Sequence, residues 1–125
     1  MLVIATICSR KKNASTMLLP AYERYLGEHI QKAKLIALQK NAPFYILSGL
    51  LGFIPAETQI DFYDYLLLDS KVDELVILVA KQIREASITE INLYTENNPN
   101  WQPYHRTIQD ASLVTGVVCS IVHLT

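Results

Sequence analysis

The sequence predicts an α/β domain, because strand-like apolar runs alternate along the chain with segments of helical periodicity. Three of these runs end in clusters of small, charged or amide residues, as strands do at the carboxyl edge of a parallel sheet. With 125 residues, the chain has the length of one domain and enough surface to bury one core. We therefore predict a single domain over residues 1–125, built as a three-layer α/β/α sandwich.

Four short strands are predicted, and they are rich in β-branched or aromatic residues. They are LVIATICS (2–9), FYILS (44–48), EINLYTE (90–96) and VVCSIVHLT (117–125). The first two show no alternation with polar residues, which is typical of strands buried on both faces. Because helical segments separate the strands, we predict a mostly parallel four-stranded sheet of Rossmann-like or flavodoxin-like type.

Three helices are predicted between these strands. The first runs from Pro20 to the neighbourhood of Lys40, with tyrosine and aliphatic residues at helical spacing. The second begins at Ser70, a residue suited to cap it, and carries a clear apolar stripe. The third begins near Pro103 and ends at Gly116. The segment IDFYDYLLLD, before the second helix, is predicted to be a short helix or an irregular turn.

Charge, hydropathy and cysteine usage exclude several classes of protein. Since 11 Lys and Arg oppose 12 Asp and Glu, no large basic surface predicts nucleic-acid binding. No apolar run reaches the length of a membrane span, and neither an anchor nor a signal peptide is predicted. Cys8 and Cys119 are too few for a disulfide framework and favour a reducing, cytoplasmic location. His29, His105 and His123 share no metal-ligand spacing, so we predict neither a metal nor a cofactor.

A hydroxyl, a thiol and three cations directly follow the first strand. Ser9, Arg10, Lys11 and Lys12 offer the cationic and hydrogen-bonding groups that phosphate needs. The same positive charge favours the thiolate of Cys8, which makes it a candidate catalytic nucleophile. We predict an anion or phosphate site here. The alternative is a solvated turn in which Cys8 packs as a small apolar residue.

The second strand ends in the sequence SGLLG, which is a candidate ligand-binding loop. Ser48 offers a hydroxyl, while Gly49 and Gly52 permit a ligand to approach the backbone closely. The pattern is neither GxGxxG nor a P-loop, and a purely structural turn is the alternative. Further along, Tyr63 is a candidate binding residue, and Asp64 is a candidate to hold a ribose hydroxyl or act as a general base. A turn or capping role is the alternative for Asp64.

The loop after the third strand contains aromatic and basic residues that suit a nucleic-acid base. Trp101 and Tyr104 are candidates to stack on a base, with Arg106 on a phosphate. His105 is the one histidine that we select as a candidate acid or base, because it lies where a helix emerges from the third strand. For His29 and His123 we predict structural roles.

Four segments in the first part of the chain together resemble a known family. They are CSRKK (8–12), PAYERY (20–25), YILSGLLGFIP (45–55) and IDFYDYLL (60–67). Their order and spacing resemble a bacterial and phage domain of unknown function, whose members carry a Cys-Ser/Gly-x-x-Lys loop, an ILSA-x-YGL segment and a PYD element. The third segment is also similar to the ILSGLYG stretch of YaaA-type peroxide-stress proteins.

The resemblance implies an α/β fold with a site at the strand ends. YaaA-type proteins are associated with nucleic-acid binding and protection under oxidative stress, and related domains are grouped with enzymes that act on nucleosides or bases. The chain departs from these patterns in two places, since Leu51 replaces a tyrosine and Asp64 replaces the arginine of YaaA-type proteins. It is also much shorter than a YaaA-type protein, so the DNA-binding surface of that group is not carried over.

These observations lead to one preferred function and two alternatives. The preferred function is binding of a nucleotide, nucleoside or phosphate-bearing ligand at the carboxyl edge of the sheet, with glycosidase or transferase chemistry as an open extension. The first alternative is nucleic-acid binding without catalysis, or a role in stress. The second is a homodimeric interaction module, whose contact patch includes the apolar segment 62–68. The sequence leaves open whether the protein is an enzyme.

Overall fold

The computed structural model describes residues 1–124, which form a mixed α/β fold. The strands are β1 (Leu2–Ile7), β2 (Leu19–Pro20), β3 (Phe44–Ser48), β4 (Gly52–Pro55), β5 (Gln59–Ile60), β6 (Glu90–Thr95) and β7 (Val118–His123). The α-helices are α1 (Ala21–Arg24), α2 (Glu28–Gln39), α3 (Val72–Glu85) and α4 (Gln102–Thr115), with 3₁₀ turns at Asp69–Lys71 and Pro99–Trp101.

The main sheet has five strands in the order β4-β3-β1-β6-β7, so the prediction of four strands is wrong. The additional strand is β4, which turns back after Ser48 and pairs antiparallel with β3. The β1–β3, β1–β6 and β6–β7 pairs are all parallel, as predicted. β4 follows β3 through a tight turn and is only four residues long, so its residues have the sequence pattern of a loop. A separate two-stranded sheet joins β2 to β5.

The helix predicted from Pro20 to Lys40 is two helices, α1 and α2, separated by three residues. Tyr25 is extended (ψ 122°), and so is Gly27 (φ −63°, ψ 142°). The extended backbone lets Tyr25 form a β-bridge with Lys12 and bury its ring, which is 1% exposed. A Cβ at Gly27 would overlap the imidazole of His29, so a side chain there would require local rearrangement.

The other helices agree more closely with the sequence. α4 ends where predicted, at Gly116, whose backbone is left-handed (φ 76°). α3 begins at Val72, and no side chain caps it, so the capping role predicted for Ser70 is wrong. The chain enters α3 through the 3₁₀ turn at Asp69–Lys71 instead. Residues 61–68 have no regular secondary structure, which matches the irregular turn predicted there.

The central strands carry the core, and helices cover the sheet. β3 is buried along its whole length, and β1 is buried from Val3 to Ile7. α2 packs on β1, while α3 and α4 pack on each other and reach β4 and β7. The chain moves in opposite directions along the sheet from β1 to β3 and from β3 to β6. If these connections have the right-handed sense that is almost universal in parallel sheets, α2 lies on one face of the sheet and the α3–α4 pair on the other. This arrangement is compatible with the predicted α/β sandwich.

None of the helices within residues 1–124 is both long enough and apolar enough to cross a membrane.

Candidate functional site at the carboxyl edge

The carboxyl ends of β1 and β3 lie side by side, which brings two of the predicted segments together. The N–H of Cys8 donates to the carbonyl of Leu47 at 2.9 Å, which extends the parallel ladder beyond β1. The Gly49 N–H and the hydroxyls of Tyr63 and Tyr104 lie near enough to the Cys8 thiol to lower its pKa. Groups from three separate parts of the sequence therefore converge on this thiol.

A chain of hydroxyl groups crosses the same edge, and we call it the hydroxyl chain: Tyr25, Tyr63 and Ser48. The Tyr25 and Tyr63 hydroxyls are 2.5 Å apart, and the Tyr63 hydroxyl is 2.7 Å from Ser48 Oγ. Ser48 Oγ also accepts the N–H groups of Leu50 and Leu51, at 3.2 and 3.0 Å. Because those two donors use its lone pairs, the Ser48 hydroxyl donates its own hydrogen to Tyr63. The turn after β3 thus fixes the direction of the hydrogen bond to Tyr63.

Burial keeps the tyrosine hydroxyls of this edge neutral at ordinary pH. It raises the pKa of Tyr25 to about 12, with a further contribution from the proximity of Cys8. Burial likewise raises the pKa of Tyr63 and of Tyr104, and the proximity of Cys8 again adds to the effect. All three phenols are therefore hydrogen-bonding groups rather than phenolate bases.

The charge of Lys12 favours the Cys8 thiolate, as predicted, but burial acts in the opposite direction and is the larger effect. Burial raises the pKa of the Cys8 thiol, and this outweighs the opposing effects of the Gly49 N–H, the Tyr104 hydroxyl and the Lys12 charge. A thiol held in its protonated form is a poor nucleophile. Cys8 accordingly fits better as a packed acceptor among hydroxyls than as an activated nucleophile.

Lys12 is the cation of the first loop that faces the hydroxyl chain. Its ammonium lies 4.8 Å from the ring centroid of Tyr63 and 5.9 Å from that of Tyr25. Arg10 and Lys11 are exposed to solvent instead. Among the residues that the structure describes, Lys12 forms no ion pair with a carboxylate. Its charge is held by two aromatic rings and has no anionic partner in the described chain.

Ser9 lies at the base of the first loop, and its hydroxyl forms hydrogen bonds within the chain. Its hydroxyl donates to the carbonyl of Lys11 at 2.7 Å and accepts the N–H of Gly27 at 3.2 Å. Ser9 therefore joins the loop to the start of α2. Its predicted role in binding phosphate stays a prediction.

Gly49 and Gly52 bring the backbone close to side chains of the chain itself. A Cβ at Gly49 would lie 3.1 Å from Leu67 Cβ and 3.2 Å from the Tyr104 hydroxyl. Gly52 has a left-handed backbone (φ 82°), and a Cβ there would overlap the carboxamide of Gln82. That carboxamide accepts the N–H of Phe53 and donates to the carbonyl of Leu51, at 2.7 and 3.0 Å. Contact of a ligand with these glycines remains a prediction.

Arg24, like Tyr25, is a residue of this region that the sequence reasoning missed. It is fully buried, and its guanidinium donates to the carbonyls of Asn13, Ser15, Met17 and Ile60 at 2.5 to 3.1 Å. Arg24 thus ties the loop after β1 to β5, the strand that leads to Tyr63. Its apparent place on the polar side of a long helix concealed this role. Its position in the PAYERY segment of the resemblance was the available signal.

The remaining predicted residues do not join the hydroxyl chain. Asp64 is exposed to solvent. Trp101 packs against the ring of His29, with the centroids 4.8 Å apart, whereas Tyr104 is 7% exposed and reaches Cys8. The two aromatics therefore have different partners, and stacking of a base between them stays a prediction.

Two basic or titratable residues predicted near the last loop, His105 and Arg106, lie in α4 and have partners within the chain. Arg106 pairs with Asp73 at 3.3 Å and with Asp110 at 3.8 Å. His105 is buried and lies 2.8 Å from the hydroxyl of Thr95, and burial lowers its pKa. Both residues therefore have structural contacts, and their functional roles stay predictions.

Two clefts flank the hydroxyl chain. One has a volume of about 480 Å³ and includes Tyr25, Asn13 and Lys34 in its lining. The other has a volume of about 440 Å³ and includes Tyr63, Leu51 and Ile60. Both volumes lie in the range of small-molecule sites, roughly 300 to 1,000 Å³. No group of three or more His, Cys, Asp or Glu side chains within residues 1–124 is arranged to hold a metal ion.

No family model matches the chain, and no curated protein and no solved structure matches it at a significant level. The resemblance to the bacterial and phage domain and to YaaA-type proteins therefore stays a prediction.

Proposed function

We propose that the protein binds a nucleotide-like or other phosphate-bearing ligand at the carboxyl edge of its sheet. The observation that carries the proposal is the hydroxyl chain of Tyr25, Tyr63 and Ser48 with the unpaired ammonium of Lys12 beside it. Neutral hydroxyls and one available cation are the groups that recognise a sugar and its phosphate. In this proposal Lys12 contacts the anionic group, and Tyr63 contacts the sugar.

The strand order supports placing the site at this edge. The chain moves in one direction along the sheet from β1 to β3 and in the other from β3 to β6, so right-handed connections would carry α2 to one face and α3 to the other. Where neighbouring connections diverge in this way, a crevice opens at the carboxyl ends of the strands, and ligands bind there. We propose on this basis that the sheet is doubly wound, of the flavodoxin-like type.

Catalysis is a separate extension of the binding proposal. Glycosidase or transferase chemistry needs a carboxylate or another base near the sugar, and Asp64 is the candidate nearest in sequence to Tyr63. Asp64 is exposed to solvent and follows Tyr63 directly in the sequence. Cys8 is the less suitable candidate, because burial holds its thiol protonated.

Isothermal titration of the protein with adenosine 5′-monophosphate and with ribose 5-phosphate tests the binding proposal. We expect both compounds to bind, and we expect Lys12→Ala to weaken each of them by about tenfold, which corresponds to about 1.4 kcal/mol. Lys81→Ala is the matched control, because Lys81 is an exposed lysine of α3 that pairs with Glu85. Equal affinities for Lys12→Ala, Lys81→Ala and the unmodified protein would refute the site.

A further inference from the structure

The cleft of about 440 Å³ beside the turn after β3 differs in chemistry from the rest of the site, and we call it the apolar cleft. Five of its lining residues are aliphatic: Leu18, Leu50, Leu51, Ile54 and Ile60. Tyr63 also lines the apolar cleft, and it belongs to the hydroxyl chain as well. The apolar cleft and the hydroxyl chain therefore share one aromatic side chain.

Two aliphatic residues at the rim of the apolar cleft are open to solvent. Leu18 is 55% exposed and Leu50 is 45% exposed, whereas Ile54 and Ile60 beneath them are buried. Covering such side chains with an apolar group is favourable by about 25 cal/mol per Å² of surface removed from water. The apolar cleft is therefore suited to a flat or apolar group that both side chains can contact.

The charges around Tyr63 differ between the apolar cleft and the side of the ring that faces Lys12. The lining of the apolar cleft includes no lysine or arginine, and it includes one carboxylate residue, Asp61. The ammonium of Lys12, in contrast, lies 4.8 Å from the centroid of the Tyr63 ring. An anionic group is therefore repelled from the apolar cleft and attracted to Lys12.

We propose that the apolar cleft receives the uncharged ring of the ligand, as the base of a nucleoside monophosphate, while the phosphate lies toward Lys12. This inference rests on the proposed function and adds to it the part of the ligand that gives specificity. Tyr63 stands between the two halves of the ligand: its ring lines the apolar cleft and its hydroxyl belongs to the polar part of the site.

Comparison of three compounds measures separately what the base and the phosphate contribute to the affinity. Adenosine has the base but no phosphate, ribose 5-phosphate has the phosphate but no base, and adenosine 5′-monophosphate has both. We expect adenosine 5′-monophosphate to bind at least about tenfold more tightly than ribose 5-phosphate, because only the former fills the apolar cleft. We expect the affinity for adenosine to be unchanged by Lys12→Ala.

Neutral substitutions at the rim then test the apolar cleft directly. We expect Leu50→Asn and Leu18→Asn to weaken adenosine and adenosine 5′-monophosphate by about tenfold and to leave ribose 5-phosphate unchanged. Both leucines are about half exposed, so these variants should fold. Leu113→Asn is the matched control, because Leu113 is an aliphatic residue of α4 that is 82% exposed.

The possible failures are distinguishable. If adenosine 5′-monophosphate and ribose 5-phosphate bind equally, or if Leu50→Asn behaves like Leu113→Asn, the apolar cleft does not hold the base, and the binding site at Lys12 can still stand. If adenosine binds with the expected sensitivity to Leu50→Asn while ribose 5-phosphate is insensitive to Lys12→Ala, the phosphate part of the proposed function is wrong and the assignment of the apolar cleft stands. If none of the three compounds binds, both proposals are wrong.

Discussion

Tyr63 connects more of the candidate site than any other side chain. Its hydroxyl lies 2.5 Å from that of Tyr25 and 2.7 Å from Ser48 Oγ, and its ring has the Lys12 ammonium beside it. The sequence identified Tyr63, Ser48 and Lys12 as candidates, because each follows a strand or belongs to the quoted motif. It did not identify Tyr25 or Arg24, because both had the spacing of an ordinary helix, and only the break after α1 turns Tyr25 toward β3.

Replacement of Tyr63 by phenylalanine should destabilise the protein by about 1 to 2 kcal/mol, because the Ser48 hydroxyl then loses its acceptor and Tyr25 loses its partner. Urea denaturation monitored by circular dichroism measures the free energy of unfolding. Tyr94→Phe is the control, because the Tyr94 side chain takes no part in the hydroxyl chain. If the two variants are equally stable, the hydroxyl chain contributes nothing to the fold.

At the scale of elements, the sequence predicted the strands of the parallel sheet better than their connections. Apolar runs identify β1 and β3 to within two residues, because a strand covered on both faces is apolar along its length. β6 is identified to within one residue, although it is fully buried only at alternate positions. β4 and the break between α1 and α2 depend instead on contacts between distant residues. Gln82 of α3 bonds to both Leu51 and Phe53, and Arg24 bonds to carbonyls on two separate segments, and no local pattern records either set of contacts.

Replacement of Gly52 by alanine tests how closely α3 holds the turn after β3. The left-handed backbone (φ 82°) and the overlap with Gln82 should together cost about 2 to 3 kcal/mol of stability. Gly116→Ala is the matched control, since Gly116 is also left-handed (φ 76°) but a Cβ there would have no atom within 4 Å. The difference between the two variants should vanish when Gln82 is replaced by alanine. A difference that persists would show that Gln82 is not the cause.

Replacement of Arg24 by lysine tests the contact between the loop after β1 and β5. A lysine ammonium cannot reproduce the planar fork that serves four carbonyls, so we expect a loss of about 3 kcal/mol in the free energy of unfolding. Limited proteolysis should also become faster between Asn13 and Met17. Arg84→Lys is the control, because Arg84 is exposed and makes one bond of 3.3 Å to the carbonyl of Val114. Equal stability of the two variants would contradict the role of Arg24.

At the scale of the whole molecule, buried histidines in two separate helices make stability depend on pH. His29 in α2 and His105 in α4 are both buried, and burial lowers the pKa of each below its ordinary value of 6.5. The imidazole of His29 donates its Nε2 hydrogen to the carbonyl of Ile7 at 2.6 Å. The neutral form of both residues is therefore the one that the fold accommodates.

A lowered pKa in the folded state means that the unfolded chain binds protons first as the pH falls. The stability from neutral His29 and His105 is therefore fully present above about pH 6.5 and is lost as the pH falls toward their folded-state pKa values. Thermal unfolding between about pH 7.5 and pH 5 should show a falling midpoint. His105→Gln should flatten this dependence, and His123→Gln should flatten it less, because the proximity of His123 is the smaller of the two causes that lower the pKa of His105. An unchanged slope in His105→Gln would exclude His105 as a source of it.

The central claim, that the carboxyl edge around Tyr63 and Lys12 binds a nucleotide-like ligand, is tested most directly by amide chemical shifts. Titration of ¹⁵N-labelled protein with adenosine 5′-monophosphate should perturb the amides of residues 8–12, 48–51 and 63, and should leave those of residues 81–85 in α3 unchanged. The absence of any perturbation at ligand concentrations up to about 10 mM, or perturbation confined to α3, would contradict the claim.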